Sequence, residues 1–403
     1  AKSTDNIDKN NDYNNDKISV DPTVNNSNIL IFNKRNRLML TKNQSTGIFK
    51  KNLIIRPVYG LGNRLRALAS CYSICKSLGL NLIINWVEDN HCNCSIHSLI
   101  SNINDIGFVV NEEVYINNLL DNNYKIYNYI ETEINGKKDE FIDFDRYKEV
   151  FVKSNCIINS KYSFTNYNSF FKVIKFSCRV NYLINSLETT NLIGMHIRME
   201  GGREYCNSSY DNYKNWTEKE TKLMFENRER SHINYFANQI KIILEKDPSK
   251  KFFIATDMKS NYDKLIKFYG SDKIRILERN VFDRSSSQIE YALADIILLS
   301  KCTEFYGSSW SSFSEIVVAF QCRFHSKKVC NMLSNDFQRK INGVDLNMMV
   351  IGDVVFNNKN AYNFYKNLVN EYESLKDKFS NYNLVLKVNI YCLLENINLN
   401  LLL

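Results

Sequence analysis

The chain has 403 residues, 44 % of them hydrophobic and 13 % aromatic, which excludes a wholly disordered polypeptide and is too much for one ordinary core, so two domains with tails are expected. The 52 Lys and Arg against 44 Asp and Glu leave a net charge of +8 without a dense basic stripe, which argues against nucleic acid as partner and suits a small polyanionic ligand.

Residues 1–48 are Asn, Asp, Lys and Ser with little apolar beyond Ile29-Leu30-Ile31-Phe32. They cannot bury enough surface to offset the entropy of ordering, so a disordered tail or stem is expected. A first domain is expected over 49–185. Leu53–Tyr59 reads as a strand, Gly60-Leu61-Gly62-Asn63 as a tight turn, and Leu65, Leu68, Ala69, Tyr72, Cys75 and Leu78 recur at helical spacing with Gly79 as the stop. With the strand Leu80–Val87 this makes a β-α-β unit. The turn lacks the full G-x-G-x-x-G and its acidic partner, so a dinucleotide is not expected. Its glycines allow a ligand, or a partner domain, to approach the backbone at a helix start. Arg64 and Arg66 fall in that first turn, where they either answer an anion or are solvated. The second strand runs out into Glu88, Asp89 and His91, three candidates for a general base that read equally well as a solvated loop. Residues 100–185 carry no chemical signature.

A second domain is expected over 186–345. Ile193–Met199 alternates as a strand that ends at Arg198, before Glu200-Gly201-Gly202. Thr217-x-x-Glu220 is a capping box for a helix to about Glu245. Lys251–Asp257 is a buried strand ending in an acid, followed by a helix to Tyr269 and a strand Arg275–Leu277. Ser285-x-x-Gln288 is a second capping box for a helix to Ser300. The strand Glu304–Tyr306, the small-residue turn Gly307–Ser312, the helix Phe313–Phe320 and the strand Val329–Leu333 complete the alternation. Strand and helix in turn mean an α/β protein with parallel sheets covered on both faces. Residues 346–403 are expected to form a helical extension; the apolar end, Leu384–Leu403, carries Lys387, Glu395 and several Asn and does not read as a membrane span.

Arg198, Asp257 and Gly307–Ser312 all end strands of one parallel sheet, and the carboxyl edge of such a sheet is where ligands bind. Arg198 suits phosphate oxygens, as do Ser311 and Ser312 at a helix start. Asp295, inside an apolar helix, needs a donor partner, for which Arg198 or the amino edge of guanine are candidates, and Phe313 offers a stacking face. Taken singly, each has a plain structural explanation: a surface charge, a turn residue, a helix cap. Together they describe a site for the diphosphate of a nucleotide-sugar. The only Asp-x-Asp, Asp143-Phe144-Asp145, follows no recognisable sugar-nucleotide strand, so an arginine rather than a metal is expected to take up the leaving-group charge.

Gly60-x-Gly62-Asn63 after a strand, His196-x-Arg198 at a strand end, Ala294-Asp295 in a helix and Gly307-x-x-x-Ser311-Ser312-Phe313 together resemble the motif set of the GDP-fucose-using fucosyltransferases, over roughly residues 52–325. That group includes protein O-fucosyltransferases and the α-1,6 core and nodulation enzymes. The resemblance implies a GT-B fold of two facing Rossmann-like domains, with the donor held mainly by the second. It also implies inversion at the fucose carbon, with no metal and no cofactor. By the same resemblance Arg198 contacts the β-phosphate, and Gly60, Gly62, His196, Asp257 and Asp295 shape the donor site. Ser311, Ser312 and Phe313 close over the diphosphate and base, while Asn63 faces the reacting sugar. Apart from the resemblance, acceptor activation needs a base from the first domain (Glu88, Asp89 or His91, of which Asp89 is taken) or the departing phosphate itself. Met199 stands where the core-fucosylating pattern has a second arginine, which leaves the acceptor open between glycan and protein. The competing expectations are another nucleotide-sugar on the same fold, or a catalytically inactive sugar- or glycan-binding relative. Eleven cysteines without zinc-ligand spacing point to free thiols and a cytoplasmic location, or to a Golgi or ER lumen if an N-terminal anchor was removed.

Overall fold

The structure is a computed structural model that describes residues 51–111, 124–202 (apart from 138–139, 143 and 145–148), 217–308 and 310–325, with strand segments at 30–32, 38–40, 331–332, 338–341 and 344–347. Residues Ala1–Phe49 and Lys50–Leu403 are separate units. In the first, β1 (Leu30–Phe32) and β2 (Leu38–Leu40) pair antiparallel, Ile31 opposite Met39. The rest of the expected tail lies outside the described residues, as does the expected C-terminal helical extension beyond residue 347.

The second unit holds two five-stranded sheets, all parallel. The first contains β3 (Asn52–Pro57), β4 (Asn81–Asn85), β5 (Phe108–Val110), β6 (Tyr124–Asn128) and β7 (Glu149–Ser154) in the order 5-4-3-7-6. The second contains β8 (Ile193–Ile197), β9 (Phe252–Thr256), β10 (Ile274–Arg275), β11 (Glu304–Gly307) and β12 (Asn331–Met332) in the order 10-9-8-11-12. That second order is the doubly-wound one: β8 lies in the middle, and the chain reverses direction across the sheet between β8 and β11. In the first sheet β3 occupies the same place between β4 and β7. Further on, β13 (Gln338–Ile341) and β14 (Val344–Asn347) form an antiparallel pair.

Eight helices are described: α1 (Leu61–Leu78), α2 (Tyr167–Val173), α3 (Cys178–Asn185), α4 (Glu218–Arg230), α5 (Ile233–Lys246), α6 (Lys259–Tyr269), α7 (Ser286–Lys301) and α8 (Ser312–Phe320). α1 stops where Gly79 takes a left-handed φ of 67° and returns its N–H to Cys75 O, as the glycine stop predicts. The long helix expected from Thr217 to Glu245 is two helices. His232 is extended (φ −67°, ψ 142°) and its Nδ1 accepts the N–H of Asn234, so it caps α5 instead of continuing α4. The second capping box does not form: Ser285 Oγ donates to Asp283, and Gln288 is buried.

Period-two alternation divides the second sheet between two cores. Ile193, Met195, Ile197, Phe252 and Ile254 pack under α5 and α6, whereas Phe253 and Ala255 face α7 and α8. This second core does not stop at the sheet. It runs through α3, α7 and α8 into α1 and the first sheet, so Leu53, Leu68, Leu293 and Phe320 belong to one continuous apolar cluster. No helix among the described residues is long and apolar enough to cross a membrane.

Candidate functional site

A cavity of about 600 Å³ is lined by residues that follow the carboxyl ends of strands in both sheets. From the first sheet come Tyr59–Asn63 after β3, His91 after β4, Tyr129–Thr132 after β6, and Asn155 and Cys156 after β7. From the second come Arg198 and Glu200 after β8, Asp257 after β9, Arg279 and Phe282–Arg284 after β10, and Trp310–Phe313 after β11. Parallel strands carry their carboxyl ends to one edge, and reversal of strand order opens a crevice there.

Arg198 leaves β8 at that reversal. Its Nη1 donates to Asp257 and, at 3.1 Å, to Glu200 Oε2. Asp257 also accepts the N–H of Met199 (3.2 Å) and of Glu200 (2.9 Å), so the carboxylate holds the whole strand exit. Burial pushes this carboxyl up, but the Arg198 guanidinium and these amides hold it below the ordinary carboxylate range. Glu200 lies 3.7 Å from Arg284 Nη2 as well, and its carbonyl oxygen accepts from Arg228 Nε at 3.2 Å.

His196 points to the opposite face of β8 from Met195 and Ile197, toward α8. Its ring stacks on Phe313 at 4.2 Å and 18°, and its Nδ1 is 2.8 Å from Ser314 Oγ. Burial lowers its pKa to about 3, against the pull of Asp257, so the imidazole is neutral. Ser308 ties this strand end to the next: its Oγ donates to His196 O at 2.7 Å and accepts the N–H of Arg198 at 2.9 Å.

Asp295 is buried at 2 % exposure and paired with Arg279, which also donates to Tyr262 Oη at 3.2 Å. Arg279, and not Arg198, is the partner that the buried acid demands; Arg198 is held by Asp257 and Glu200 instead. Asp295 Oδ1 and Arg279 Nε are buried without a hydrogen-bond partner, while both residues line the cavity. Burial raises the Asp295 carboxyl above the ordinary range despite Arg279.

On the other wall, neither Arg64 nor Arg66 is solvated. Arg64 is fully buried beneath Trp86 and donates to Tyr59 O (2.7 Å), Val87 O (2.6 Å) and Asp89 Oδ2 (2.6 Å). Arg66 donates to Asn155 O at 2.8 Å and to Glu315 Oε2, on α8, at 2.7 Å. Gly60, Gly62 and Asn63 line the cavity. A Cβ on Gly62 would come within 2.7 Å of the Ser312 carbonyl carbon, so only glycine lets the starts of α1 and α8 meet. Of the candidate bases, Glu88 and Asp89 do not line the cavity: Asp89 Oδ2 takes Arg64, and its Oδ1 takes the N–H groups of His91 and Cys92.

No family model matches the chain, and none of the curated proteins matches it. It is similar to several solved structures. Fucosyltransferase NodZ from Bradyrhizobium aligns with a TM-score of 0.44 and 16 % identity, over 67 % of this chain and 93 % of that one. POFUT1 in complex with GDP-fucose aligns with a TM-score of 0.43 and 12 % identity, over 72 % of this chain and 99 % of that one.

Sequence reading missed Arg279, Arg228 and Arg284, the loop at Tyr129–Thr132, and Asn155–Cys156. The arginines follow a two-residue strand or sit on a helix, where no periodicity distinguishes them; a buried acid at position 295 was the one available signal for Arg279. Among the described residues no group of three or more His, Cys, Asp and Glu is arranged to hold a metal ion. Asp143 and Asp145 lie outside the described residues. The cysteines at 71, 75, 92, 94, 178 and 302 are free thiols.

Proposed function

We propose that this cavity binds GDP-fucose and that the chain is an inverting, metal-independent glycosyltransferase of GT-B type that moves fucose to a glycan or protein acceptor, the activity its motifs resemble. One observation carries the reading. His196, Arg198, Asp257, Asp295 and Ser311–Phe313 come from four separate stretches of the second sheet's half, yet they line one cavity with Gly60–Asn63 of the first.

The chemistry follows from these positions. Breaking a glycosyl-phosphate bond develops charge on the leaving diphosphate, and preorganised donors stabilise it. Arg198, held by Asp257, supplies the fixed cation once a phosphate oxygen takes the place of Glu200, which keeps Arg284. The Ser311 side chain does not cap α8, so its own oxygen and the first amides of that helix are left for phosphate oxygens. Asp295 Oδ1 is suited to accept from the N–H groups of guanine, with Arg279 compensating the carboxylate beside it. Asn63 faces the sugar. Inversion requires the acceptor to arrive from the face opposite the diphosphate, hence from the first sheet's wall. Asp89 is engaged with Arg64 there, and of the three base candidates His91 is the one that lines the cavity.

A thermal-shift panel of GDP-fucose, GDP-mannose and UDP-sugars, followed by transfer of labelled fucose, tests the reading. GDP-fucose should give the largest shift, and Arg198→Ala should lose about a hundredfold or more in turnover. Equal turnover in the mutant, or no shift with any GDP-sugar, rules the reading out, and loss of transfer in EDTA rules out its metal independence.

A further inference from the structure

Three non-glycine residues among those described have a left-handed backbone: Tyr59 (φ 64°), Asn135 (φ 61°) and Trp310 (φ 50°). Asparagine tolerates that region through its short polar side chain, whereas a bulky aromatic there is an outlier. Both aromatic outliers line the cavity, one from each sheet's half. They also hold the same place in their turns. Tyr59 precedes Gly60, the cap of α1, and Trp310 precedes Ser311, the cap of α8. These are the two helices whose starts touch through Gly62 and Ser312.

Glycine would meet the backbone demand at either position without strain. What glycine lacks is the ring, and strain retained around a ring in a cavity points to the ring's use. Trp310 is 38 % exposed, and it is the one exposed large apolar side chain among the described residues that lines the cavity. The Tyr59 ring stands edge-on to His91 at 5.3 Å and 81°, and its carbonyl is clamped by buried Arg64. Glu131, Thr132 and Asn155 line the same side as Tyr59. An aromatic face beside a carboxylate, a hydroxyl and an amide matches a pyranose ring, which offers C–H groups on one face and hydroxyls around its edge.

Resting on the fucosyl-transfer reading above, we propose that Tyr59 and Trp310 form an aromatic subsite for a sugar ring of the acceptor, so that the acceptor is a glycan and not the Ser or Thr hydroxyl of a protein. The subsite belongs to the acceptor and leaves donor binding to the second sheet.

The test uses the full chain as wild type, Trp310→Gly, Trp310→Phe and Tyr59→Gly. GDP-fucose thermal shifts are measured first, then transfer of labelled fucose to a printed glycan array and to a panel of Ser- and Thr-containing proteins. Initial rates are taken on the strongest array glycan. Trp310→Gly and Tyr59→Gly should keep the donor shift and raise the acceptor KM about tenfold, with kcat much less affected. Trp310→Phe, which keeps a ring, should stay near wild type. The unfolding temperature of Trp310→Gly should not fall, because the left-handed strain is relieved. An unchanged acceptor KM in both glycine variants overturns the proposal, as does an equal loss of donor shift, which would give the rings to the nucleotide. Labelling of proteins with no labelling of glycans also overturns it. Absence of any GDP-fucose shift in the wild type is a different result: it removes the donor reading itself.

Discussion

Arg66, near the start of α1, holds Glu315, in the first turn of α8, at 2.7 Å, and the pair joins two helices that belong to different sheets. The two side chains keep 17 % and 22 % of their exposure, between the regimes of surface and buried ion pairs. Glu315 is the only acid in the first turn of either helix, and Arg66 offsets its charge beside the cavity. Removing Glu315 (Glu315→Gln) should therefore cost about 2 kcal/mol, more than an exposed pair and less than a buried one. A double-mutant cycle with Arg66→Met, read by urea unfolding, should return a coupling of at least about 1 kcal/mol. Simple additivity would show that the pair does not join the halves.

The contact of Gly62 with Ser312 predicts a contrast between neighbouring glycines. Gly62→Ala drives a Cβ to within 2.7–2.8 Å of Ser312 backbone and side-chain atoms, and should cost about 1–3 kcal/mol while weakening nucleotide binding as α8 shifts. A Cβ on Gly60, whose φ is −64°, meets nothing within 4 Å, so Gly60→Ala should be close to neutral. Equal melting temperatures for the two variants would contradict the close approach.

Stability should fall in acid through His196. Its folded pKa of about 3 lies below the ordinary 6.5, so below pH 6.5 the unfolded chain takes up a proton that the folded chain does not. Stability at this residue is fully present above pH 6.5 and is lost as pH falls toward 3, by about 1.4 kcal/mol per pH unit. His196→Gln should be less stable at neutral pH but show a shallower acid slope in urea midpoints. Parallel slopes would place the titration elsewhere.

Asp295 should make nucleotide binding pH-dependent in the same sense as an ordinary carboxylate salt bridge, but at higher pH. Burial raises its pKa in the free protein, and N–H donors from a bound base favour the ionised form, so binding releases a proton. GDP affinity should weaken as pH falls through that raised pKa, above the 3.8 of an ordinary aspartate. Calorimetry of GDP binding in two buffers of different ionisation enthalpy counts the proton, and proton uptake instead of release would exclude this role.

Much of the local structure was legible in the chain because it depends on neighbours in sequence. The alternation of Ile193–Ile197 and the stop at Gly79 each follow from a period or a backbone preference, whereas the turn expected over Gly60–Asn63 is already helix from Leu61 on, with Gly60 as its cap. The strand ends that bring Arg198, Asp257 and Ser311 to one edge were legible too, since parallel strands share a direction. The break at His232 and the unused second capping box were not legible, because each depends on which of several polar side chains reaches an amide first.

What the amino-acid order determined was the alternation of strands and helices and the residue types at their carboxyl ends. The partner of each charge was decided by the tertiary structure: Arg279 for Asp295, Arg64 for Asp89, Asp257 for Arg198, Glu315 for Arg66. These partners are separated by 16, 25, 59 and 249 positions. A buried charge requires a counter-charge within a few ångströms, and no local pattern in the chain specifies which distant residue folding brings to that distance.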